Sequence, residues 1–258
     1  MMIAKNTSRP NFYAFVNAIF GEFIELHGDR LYGDDNAVAG GLATIENIPV
    51  TVIGTVKGNT TNENIQHNFG MPNPEGYRKA LRLMKQAEKF KRPIICLIDT
   101  PGAYPGVDAE KRGQAEAIAK NLYEMMSFKT PTISIITGEG GSGGALALAV
   151  SNKVYMLENA VYSVITANGF SSILWKDAKK EKQAAELMKM TAQDLHKFGI
   201  IDKIIPEHSL GAHLDPELSF DALKTELILD IKSLLQLSPQ EIYNQKYNRF
   251  RNFGIFDE

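Results

Sequence analysis

The chain has an unusual concentration of glycine between residues 138 and 144. The run reads Gly-Glu-Gly-Gly-Ser-Gly-Gly and holds five of the 21 glycines of the chain. It follows a β-type run, 132–137, and precedes an apolar stretch, 145–150. A helix that begins at such a loop offers unpaired backbone N–H groups and the positive end of its dipole, and glycines leave those groups uncovered. The cluster predicts a site for an anion or a developing oxyanion; the alternative is that small residues only permit tight helix–strand packing.

A second loop could face the first. Residues 99–106 read Asp-Thr-Pro-Gly-Ala-Tyr-Pro-Gly and follow the apolar run 93–98. If the two strands are parallel neighbours, both loops leave the same edge of the sheet, where open α/β sheets bind ligands. Paired N–H donors suit a reaction that builds negative charge on a carbonyl oxygen, and they require no side-chain nucleophile. The alternative is that Pro101 and Pro105 stiffen an ordinary turn.

The glycine cluster also matches the dinucleotide-binding fingerprint but not the phosphate-loop pattern. Gly138, Gly140 and Gly143 fit the dinucleotide-binding fingerprint, and Glu158 lies about twenty residues further on, where a ribose-binding acid is expected. Against this hypothesis, the residues after the cluster are apolar almost all round, which indicates a buried helix. The phosphate-loop pattern fails, because Ala145 stands where that pattern requires its lysine or Ser/Thr tail.

The third motif is the nucleophile elbow of hydrolases, matched by Gly140, Ser142 and Gly144. A hydrolase would need a histidine base and an orienting acid beside Ser142. The downstream candidates are His196, His208, His213, Asp177, Asp194 and Asp202. Spacing alone places none of them beside the serine, so this hypothesis stays open.

The composition limits the partners of the protein. The 258 residues carry 28 basic and 30 acidic side chains, for a net charge of −2, which gives no reason to expect nucleic acid or a membrane as a partner. The N-terminus has no apolar signal core, and we expect a cytoplasmic protein. Cys96 lies in an apolar run, which predicts a buried, inert thiol.

The hydrophobic pattern predicts an α/β fold. Helices alternate with near-continuous apolar strands, which is typical of parallel strands covered on both faces. A first helix, a hairpin and a loop precede them, and two helices end the chain. The predicted segments are a helix at 12–24, strands at 38–45 and 49–56, a loop at 57–76, a helix at 77–91, a strand at 93–99, a helix at 108–128, a strand at 132–137, a helix at 143–150, strands at 154–157, 161–166 and 200–205, and helices at 217–237 and 239–251.

Four motifs together resemble one protein family. They are Glu75-Gly76-Tyr77-Arg78-Lys79-Ala80-Leu81-Arg82-Leu83-Met84, Asp99-Thr100-Pro101-Gly102-Ala103-Tyr104-Pro105-Gly106, Gly138-Glu139-Gly140-Gly141-Ser142-Gly143-Gly144-Ala145 and Ile173-Leu174-Trp175-Lys176-Asp177. By these motifs the chain resembles the alpha subunit of the carboxyltransferase of bacterial multi-subunit acetyl-CoA carboxylase, from about residue 9 to residue 254.

The resemblance implies a crotonase-like fold, a spiral of ββα units followed by C-terminal helices. It implies one carboxyltransferase domain over 1–258, with a short N-terminal helix, a core at about 30–206 and a helical arm at about 215–254. It also implies an enzyme that transfers the carboxyl group from carboxybiotin, held by the biotin carboxyl carrier protein, to acetyl-CoA, which forms malonyl-CoA for fatty acid biosynthesis.

The family works as an assembly. The resemblance implies activity only with a beta subunit, in an α2β2 heterotetramer, and a biotin carboxylase partner that alone uses ATP. The family places its zinc-binding cysteines on the beta subunit, so no metal is expected in this chain.

The resemblance also assigns site residues. It implies that the backbone amides of Gly143 and Gly144 form the oxyanion hole that polarises the biotin ureido oxygen. The predicted substrate-binding residues are Gly102, Ala103, Tyr104, Gly140 and Gly141.

The chain departs from the family pattern in two places. The family usually has a longer N-terminal segment and a Ser-Pro-Glu-Gly run where this chain has Thr-Ala-Asn-Gly at 166–169, so no catalytic carboxylate is expected there. The basic residues Arg78, Arg82, Lys85 and Lys89 share one helix face, which is either a solvated stripe or a surface that contacts CoA phosphates or the carrier protein.

Overall fold

The computed structural model describes residues 2–254 and contains one eight-stranded sheet. The strands are β1 (Ile24–Glu25), β2 (Val38–Ile45), β3 (Ile48–Thr55), β4 (Ile94–Thr100), β5 (Thr132–Gly141), β6 (Lys153–Leu157), β7 (Val161–Ser163) and β8 (Lys203–Ile205).

Helices precede, connect and follow the strands. They are α1 (Phe12–Ile19), α2 (Thr61–Gln66), α3 (Pro74–Lys89), α4 (Val107–Lys111), α5 (Gln114–Ser127), α6 (Ser142–Leu146), α7 (Ala167–Trp175), α8 (Glu181–Leu187), α9 (Ala192–Lys197), α10 (Pro216–Leu234) and α11 (Pro239–Arg251), with 3₁₀ turns at Asn68–Gly70 and Ala178–Lys180.

The sheet is mixed. Its order is β1-β2-β3-β4-β5-β6-β8, and β7 pairs with the C-terminal end of β5. The strands β1, β2 and β3 pair antiparallel, and every pairing from β3 onward is parallel. The hairpin between β2 and β3 turns at Glu46 and Asn47, which both have positive φ, as the tight turn of a twisted hairpin requires.

The parallel strands form the centre of the core. Residues 94–98 of β4 are each at most 1% exposed, which explains why this strand reads as a continuous apolar run. Burial raises the pKa of the Cys96 thiol to about 12, so the thiol is inert at neutral pH. The α/β class predicted from the sequence is confirmed.

The helices predicted at 12–24 and 143–150 end earlier, at Ile19 and Leu146, and Ile24 begins strand β1 instead. Three further differences concern whole elements. The segment 57–76 contains the short helix α2, which begins with a capping box between Thr60 and Glu63. The helix predicted at 108–128 is two helices, because Gly113 adopts a φ of 85° between them. The strand predicted at 161–166 ends at Ser163, and the chain then forms helices α7 to α9, which the hydrophobic pattern does not predict.

The C-terminal helices pack on the chain's own core. The ring of Phe220 in α10 meets Phe15 of α1 edge-to-face, with centroids 5.0 Å apart. The ammonium of Lys246 in α11 is buried and donates to the carbonyl oxygens of Met125 and Phe128, at the end of α5. These contacts fix α10 against α1 and α11 against the end of α5.

A second, smaller apolar cluster lies beside the main core. Its buried members are Ala4, Val161, Ala167, Ala184 and Met190. Phe170 and Trp175 of α7 pack against it, with their rings edge-to-face at a centroid distance of 5.8 Å. Helices α7 and α8 therefore have a small core of their own.

Candidate active site

The two glycine-containing loops leave neighbouring strands. Strand β5 pairs parallel with β4, and Thr100 lies opposite Gly140 at the carboxyl end of the pair. The predicted neighbourhood of the two strands is confirmed. Because the carboxyl ends of parallel strands share one edge of the sheet, residues 101–106 and the start of α6 emerge side by side.

The glycine cluster forms the strand end and the first turn of a helix. Gly138 and Gly140 lie in β5, Gly141 is the N-cap, and Gly143 and Gly144 are the second and third residues of α6. The N–H groups of these first positions have no partner within a helix. Ser142 has a φ of 50°, so the chain turns sharply from strand to helix at a residue other than glycine.

The two loops touch through their backbones. A Cβ atom on Gly141 would lie 2.1 Å from the Pro101 carbonyl oxygen, and one on Gly144 would lie 2.4 Å from the Ala103 nitrogen. Gly102 has a φ of 145°, which a side chain disfavours. Gly143 differs, because the nearest atom to its Cβ position is 3.8 Å away on Ile118. Close backbone approach therefore requires glycine at 141 and 144.

Two tyrosines lie near this junction. The N–H of Tyr104 donates to the Pro72 carbonyl at 2.9 Å, and its side chain is 36% exposed. Tyr77 is fully buried, and its hydroxyl lies 2.8 Å from the Cβ position of Gly144. Within residues 2–254 that hydroxyl has no hydrogen-bond partner.

An apolar cavity opens beside the start of α6. Its volume is about 590 Å³, and Ser142 and Gly143 form part of its wall. Leu146, Tyr162 and Phe170 supply apolar surface. The arrangement sets backbone N–H groups of a helix N-terminus at the edge of a mostly apolar space. Such a site suits a small ligand with an apolar body and a polar oxygen.

Within residues 2–254, Ser142 has no histidine as a hydrogen-bond partner. His213 bonds the Asn6 side chain at 3.3 Å, and the Nδ1 atom of His208 accepts from the Leu210 N–H. His196 lines a different cavity, together with Asp202. In the described part of the chain no hydrogen bond joins Ser142 to a histidine, so the nucleophile-elbow hypothesis has only the sharp turn in its favour.

The dinucleotide hypothesis is also weakened. Helix α6 has only five residues, and Gly144 and Ala145 within it are buried. Glu158 accepts the Glu207 N–H at 3.4 Å, next to β8. Helix α6 is therefore too short to be the crossover helix of a dinucleotide-binding unit.

The basic residues of α3 hold a neighbouring loop. Arg78 contacts Asp29 at 2.8 Å and Glu75 at 2.9 Å, and Arg82 donates to the Gly28 carbonyl at 2.9 Å. Hydrogen bonds from backbone N–H groups and Arg78 outweigh the opposing effect of burial and lower the pKa of Asp29 to about 2. Arg78 and Arg82 thus anchor the loop at Gly28 and Asp29 and are not a solvated stripe.

Residues 166–169 form a helix start. The Thr166 side chain caps α7 and accepts the Gly169 N–H at 3.1 Å. No carboxylate stands in this segment, in agreement with the sequence. Among residues 2–254 no three His, Cys, Asp or Glu side chains gather closely enough to hold a metal ion, and no helix is long and apolar enough to cross a membrane.

One half-buried cation near the loops was missed from the sequence. Lys57, two residues after β3, contacts both Asp99 and Glu139. It belongs to no motif, and only the order of β3, β4 and β5 in the sheet brings the three residues together. Its one sequence signal is its position just beyond a predicted strand.

Nearly the whole chain matches one known protein family. A family model described as "Acetyl co-enzyme A carboxylase carboxyltransferase-like" matches residues 1–254. The chain is 57% identical over 255 residues to the acetyl-coenzyme A carboxylase carboxyl transferase subunit alpha of Clostridium botulinum (strain Eklund 17B / Type B), covering 99% of this chain and 93% of that protein. It is 54% identical to a Clostridium tetani protein named for subunits beta/alpha, of which it covers 44%.

Solved structures with the same fold have much lower identity. A malonate decarboxylase hetero-tetramer of Pseudomonas in complex with coenzyme A includes a chain with a TM-score of 0.72 and 14% identity, with 96% of this chain and 95% of that chain covered. The transcarboxylase 12S structure gives a TM-score of 0.67 at 20% identity, with 83% and 40% covered. The predicted crotonase-like fold is confirmed by these neighbours. From its sequence and the matching family model, the chain belongs to the acetyl-CoA carboxylase carboxyltransferase alpha-subunit family.

Proposed function

We propose that the chain is the alpha half of a carboxyltransferase that moves the carboxyl group from carboxybiotin, on the biotin carboxyl carrier protein, to acetyl-CoA. The product is malonyl-CoA for fatty acid biosynthesis. One observation carries the proposal: two loops in backbone contact place the start of α6 beside an apolar cavity, in a chain 57% identical to a named alpha subunit.

The site fits the ring system of biotin, which has an apolar body and a polar ureido edge. The cavity wall combines apolar side chains with Ser142 and the glycine backbone, and added Cβ atoms at Gly141 or Gly144 would collide with the facing loop. When bound, carboxybiotin supplies the carboxyl group, and its ureido oxygen gains negative charge as that group leaves.

The chain's own contribution is electrostatic. The N–H groups of Gly143 and Gly144 would donate to the ureido oxygen, at the positive end of α6. Gly102, Ala103 and Tyr104 would border the ring from the neighbouring loop, and Gly140 and Gly141 would support the helix start. Each preorganised donor of this kind lowers a barrier by about 3 kcal/mol.

The proposal includes partners. A beta subunit would complete the site on the acetyl-CoA side in an α2β2 assembly, and the Clostridium tetani relative that joins beta and alpha in one chain supports such proximity. The carrier protein would deliver biotin, and biotin carboxylase would use the ATP. We place the assembly in the cytoplasm, with no nucleic acid or membrane partner; the near-neutral charge and the buried thiol support this.

The test is reconstitution with the beta subunit. The chain would be expressed alone and together with the beta subunit of the same genome, and carboxyl transfer from malonyl-CoA to free biotin would be measured. We expect transfer only from the co-expressed complex. Robust transfer by the isolated chain, or none by a folded complex, would contradict the proposal.

A matched pair of variants separates this function from hydrolysis. Gly144→Val in the complex should abolish carboxyl transfer, because the new side chain forces the loops apart, whereas Ser142→Ala should retain it. If Ser142→Ala instead abolished an esterase activity of the isolated chain, the hydrolase hypothesis would replace the proposal.

A further inference from the structure

Lys57 connects the carboxyl ends of three adjacent strands, from two of which the glycine loops leave. It follows β3, Asp99 lies near the end of β4, and Glu139 lies near the end of β5. The ammonium of Lys57 lies 2.7 Å from Asp99 Oδ1 and 2.7 Å from Glu139 Oε2. The three side chains are only 19%, 15% and 14% exposed. This ion-pair cluster is largely shielded from solvent.

The cluster lies where the regular strand pairing is interrupted. The register between β4 and β5 shifts between Ile98 and Thr100, around Asp99. At that point Asp99 Oδ1 also accepts the N–H of Glu139 at 2.8 Å, and the Asp99 N–H donates to the Thr55 hydroxyl at 2.7 Å. Side-chain bonds thus connect β3, β4 and β5 just before both glycine loops begin.

The packing around Asp99 requires glycine in β5. A Cβ atom on Gly138 would lie 2.6 Å from the Asp99 carboxylate. The glycine cluster therefore serves two purposes: Gly138 makes room for the carboxylate that Lys57 binds, and Gly141 and Gly144 make room for the facing loop.

Charge makes Lys57 the centre of this cluster. Burial opposes its positive charge, but Asp99 and Glu139 outweigh burial and raise the pKa of Lys57. Without the ammonium, two carboxylates in a shielded site would repel each other. Lys5 offers only a weak replacement, because it lies 3.4 Å from Glu139 and its side chain is 46% exposed.

We infer that Lys57 is a positioning residue for carboxyl transfer: by bridging Asp99 and Glu139, it keeps residues 101–103 and the start of α6 in mutual register. It acts through the two loops and lines no part of the apolar cavity described above. The predicted effect of Lys57 on kcat rests on the proposed function, whereas its predicted effect on the order of the two loops does not.

The kinetic test uses the complex with the beta subunit. Lys57→Met should lower kcat for carboxyl transfer by roughly 10- to 100-fold, as expected for small displacements of aligned groups, with little change in KM for malonyl-CoA. Adding Glu139→Gln to Lys57→Met removes the repulsion and should restore part of kcat. Lys232→Met is the matched control, since it breaks an exposed ion pair with Glu46 of 2.6 Å and should leave kcat unchanged.

Hydrogen exchange tests the loops independently of activity. In Lys57→Met the amides of residues 102–104, 106 and 141–144 should exchange faster than in the wild-type protein, and the added Glu139→Gln should slow them again. If the wild-type complex showed no transfer, the proposed function would fail, while exchange would still decide the role of Lys57.

The outcomes that overturn the inference are specific. They are an unchanged kcat with unchanged loop exchange in folded Lys57→Met, and a double variant no better than the single one. If Lys57→Met does not fold, Lys57→Gln keeps a hydrogen-bond donor without the charge, and wild-type kcat and exchange in that variant would equally reject the inference.

Discussion

At the scale of single residues, Gly143 and Gly144 are neighbours with opposite surroundings. An added methyl group at 144 would lie 2.4 Å from the Ala103 nitrogen and 2.7 Å from the Gly102 carbonyl carbon, and backbone atoms yield poorly. We expect Gly144→Ala to lower the free energy of unfolding by about 1–3 kcal/mol, as overpacking generally does. Urea unfolding of the isolated chain measures this change.

Gly143→Ala is the matched control for that prediction. The nearest atom to its Cβ position is 3.8 Å away, which is ordinary contact. Because alanine favours helix over glycine by about 1 kcal/mol, this variant should be as stable as the wild type or slightly more so. Equal destabilisation by the two variants would contradict the close contact at Gly144.

Tyr77 gives a second prediction at this scale. Its hydroxyl is buried and has no hydrogen-bond partner within residues 2–254, and an unpaired buried hydroxyl destabilises a fold by about 1–3 kcal/mol. Tyr77→Phe should therefore leave the free energy of unfolding of the isolated chain unchanged or raise it. A loss of more than about 1 kcal/mol in urea unfolding would show that the hydroxyl has a partner.

At the scale of elements, Lys246 connects α11 to the end of α5. Burial lowers the pKa of its ammonium from 10.5 to about 7. Between these two values the unfolded chain binds a proton that the folded chain has lost, so the free energy of unfolding should rise with pH from about 7 to about 10.5. Below pH 7 both states are protonated and this contribution is constant.

The measurement compares urea unfolding at several pH values in the wild type and in Lys246→Met. The difference in unfolding free energy between the two should change in favour of the wild type as pH rises through this range, because methionine does not titrate. A constant difference would show that the carbonyl oxygens of Met125 and Phe128 keep the ammonium charged.

The elements also show what sequence patterns can and cannot predict. Strands β4 and β5 were predicted because burial on both faces produces continuous apolar runs, and the loops after them were predicted from glycine and proline. Helices α7 to α9 were missed because they are short, with exposed apolar residues such as Ile173 and Leu187 that blur the helical period. Their clearest signals are the caps Thr166 and Thr191.

The site was predictable only in part, because local sequence patterns predict elements and turns but not the contacts between them. Local chemistry placed Gly143 and Gly144 at a helix start, and parallel strand order brought the second loop beside them. The contact of Gly141 with Pro101, and the bridge from Lys57 to Glu139, depend on how far β5 extends past β4 and on the register shift at Asp99. No local pattern encodes such register.

At the scale of the whole molecule, the described residues form a main apolar core and, separate from it, a smaller core at α7 and α8. The main core includes residues of the central parallel strands and of the helices α1, α3, α10 and α11. The smaller core, around Ala167, Ala184 and Met190, supports α7 and α8. A region with few buried apolar contacts unfolds locally at a lower free-energy cost than unfolding of the whole molecule.

The single tryptophan makes this difference measurable. Trp175 packs on the smaller core, next to Ile173 and Leu174, which are 68% and 59% exposed. We expect the fluorescence of Trp175 in the isolated chain to change at lower urea than the far-ultraviolet circular dichroism, which reports mainly on the larger part of the fold. Trp175→Phe should leave the urea midpoint of the circular dichroism transition nearly unchanged, because α7 contributes little to the main core. Coincident transitions by the two probes would instead show that both cores unfold as one cooperative unit.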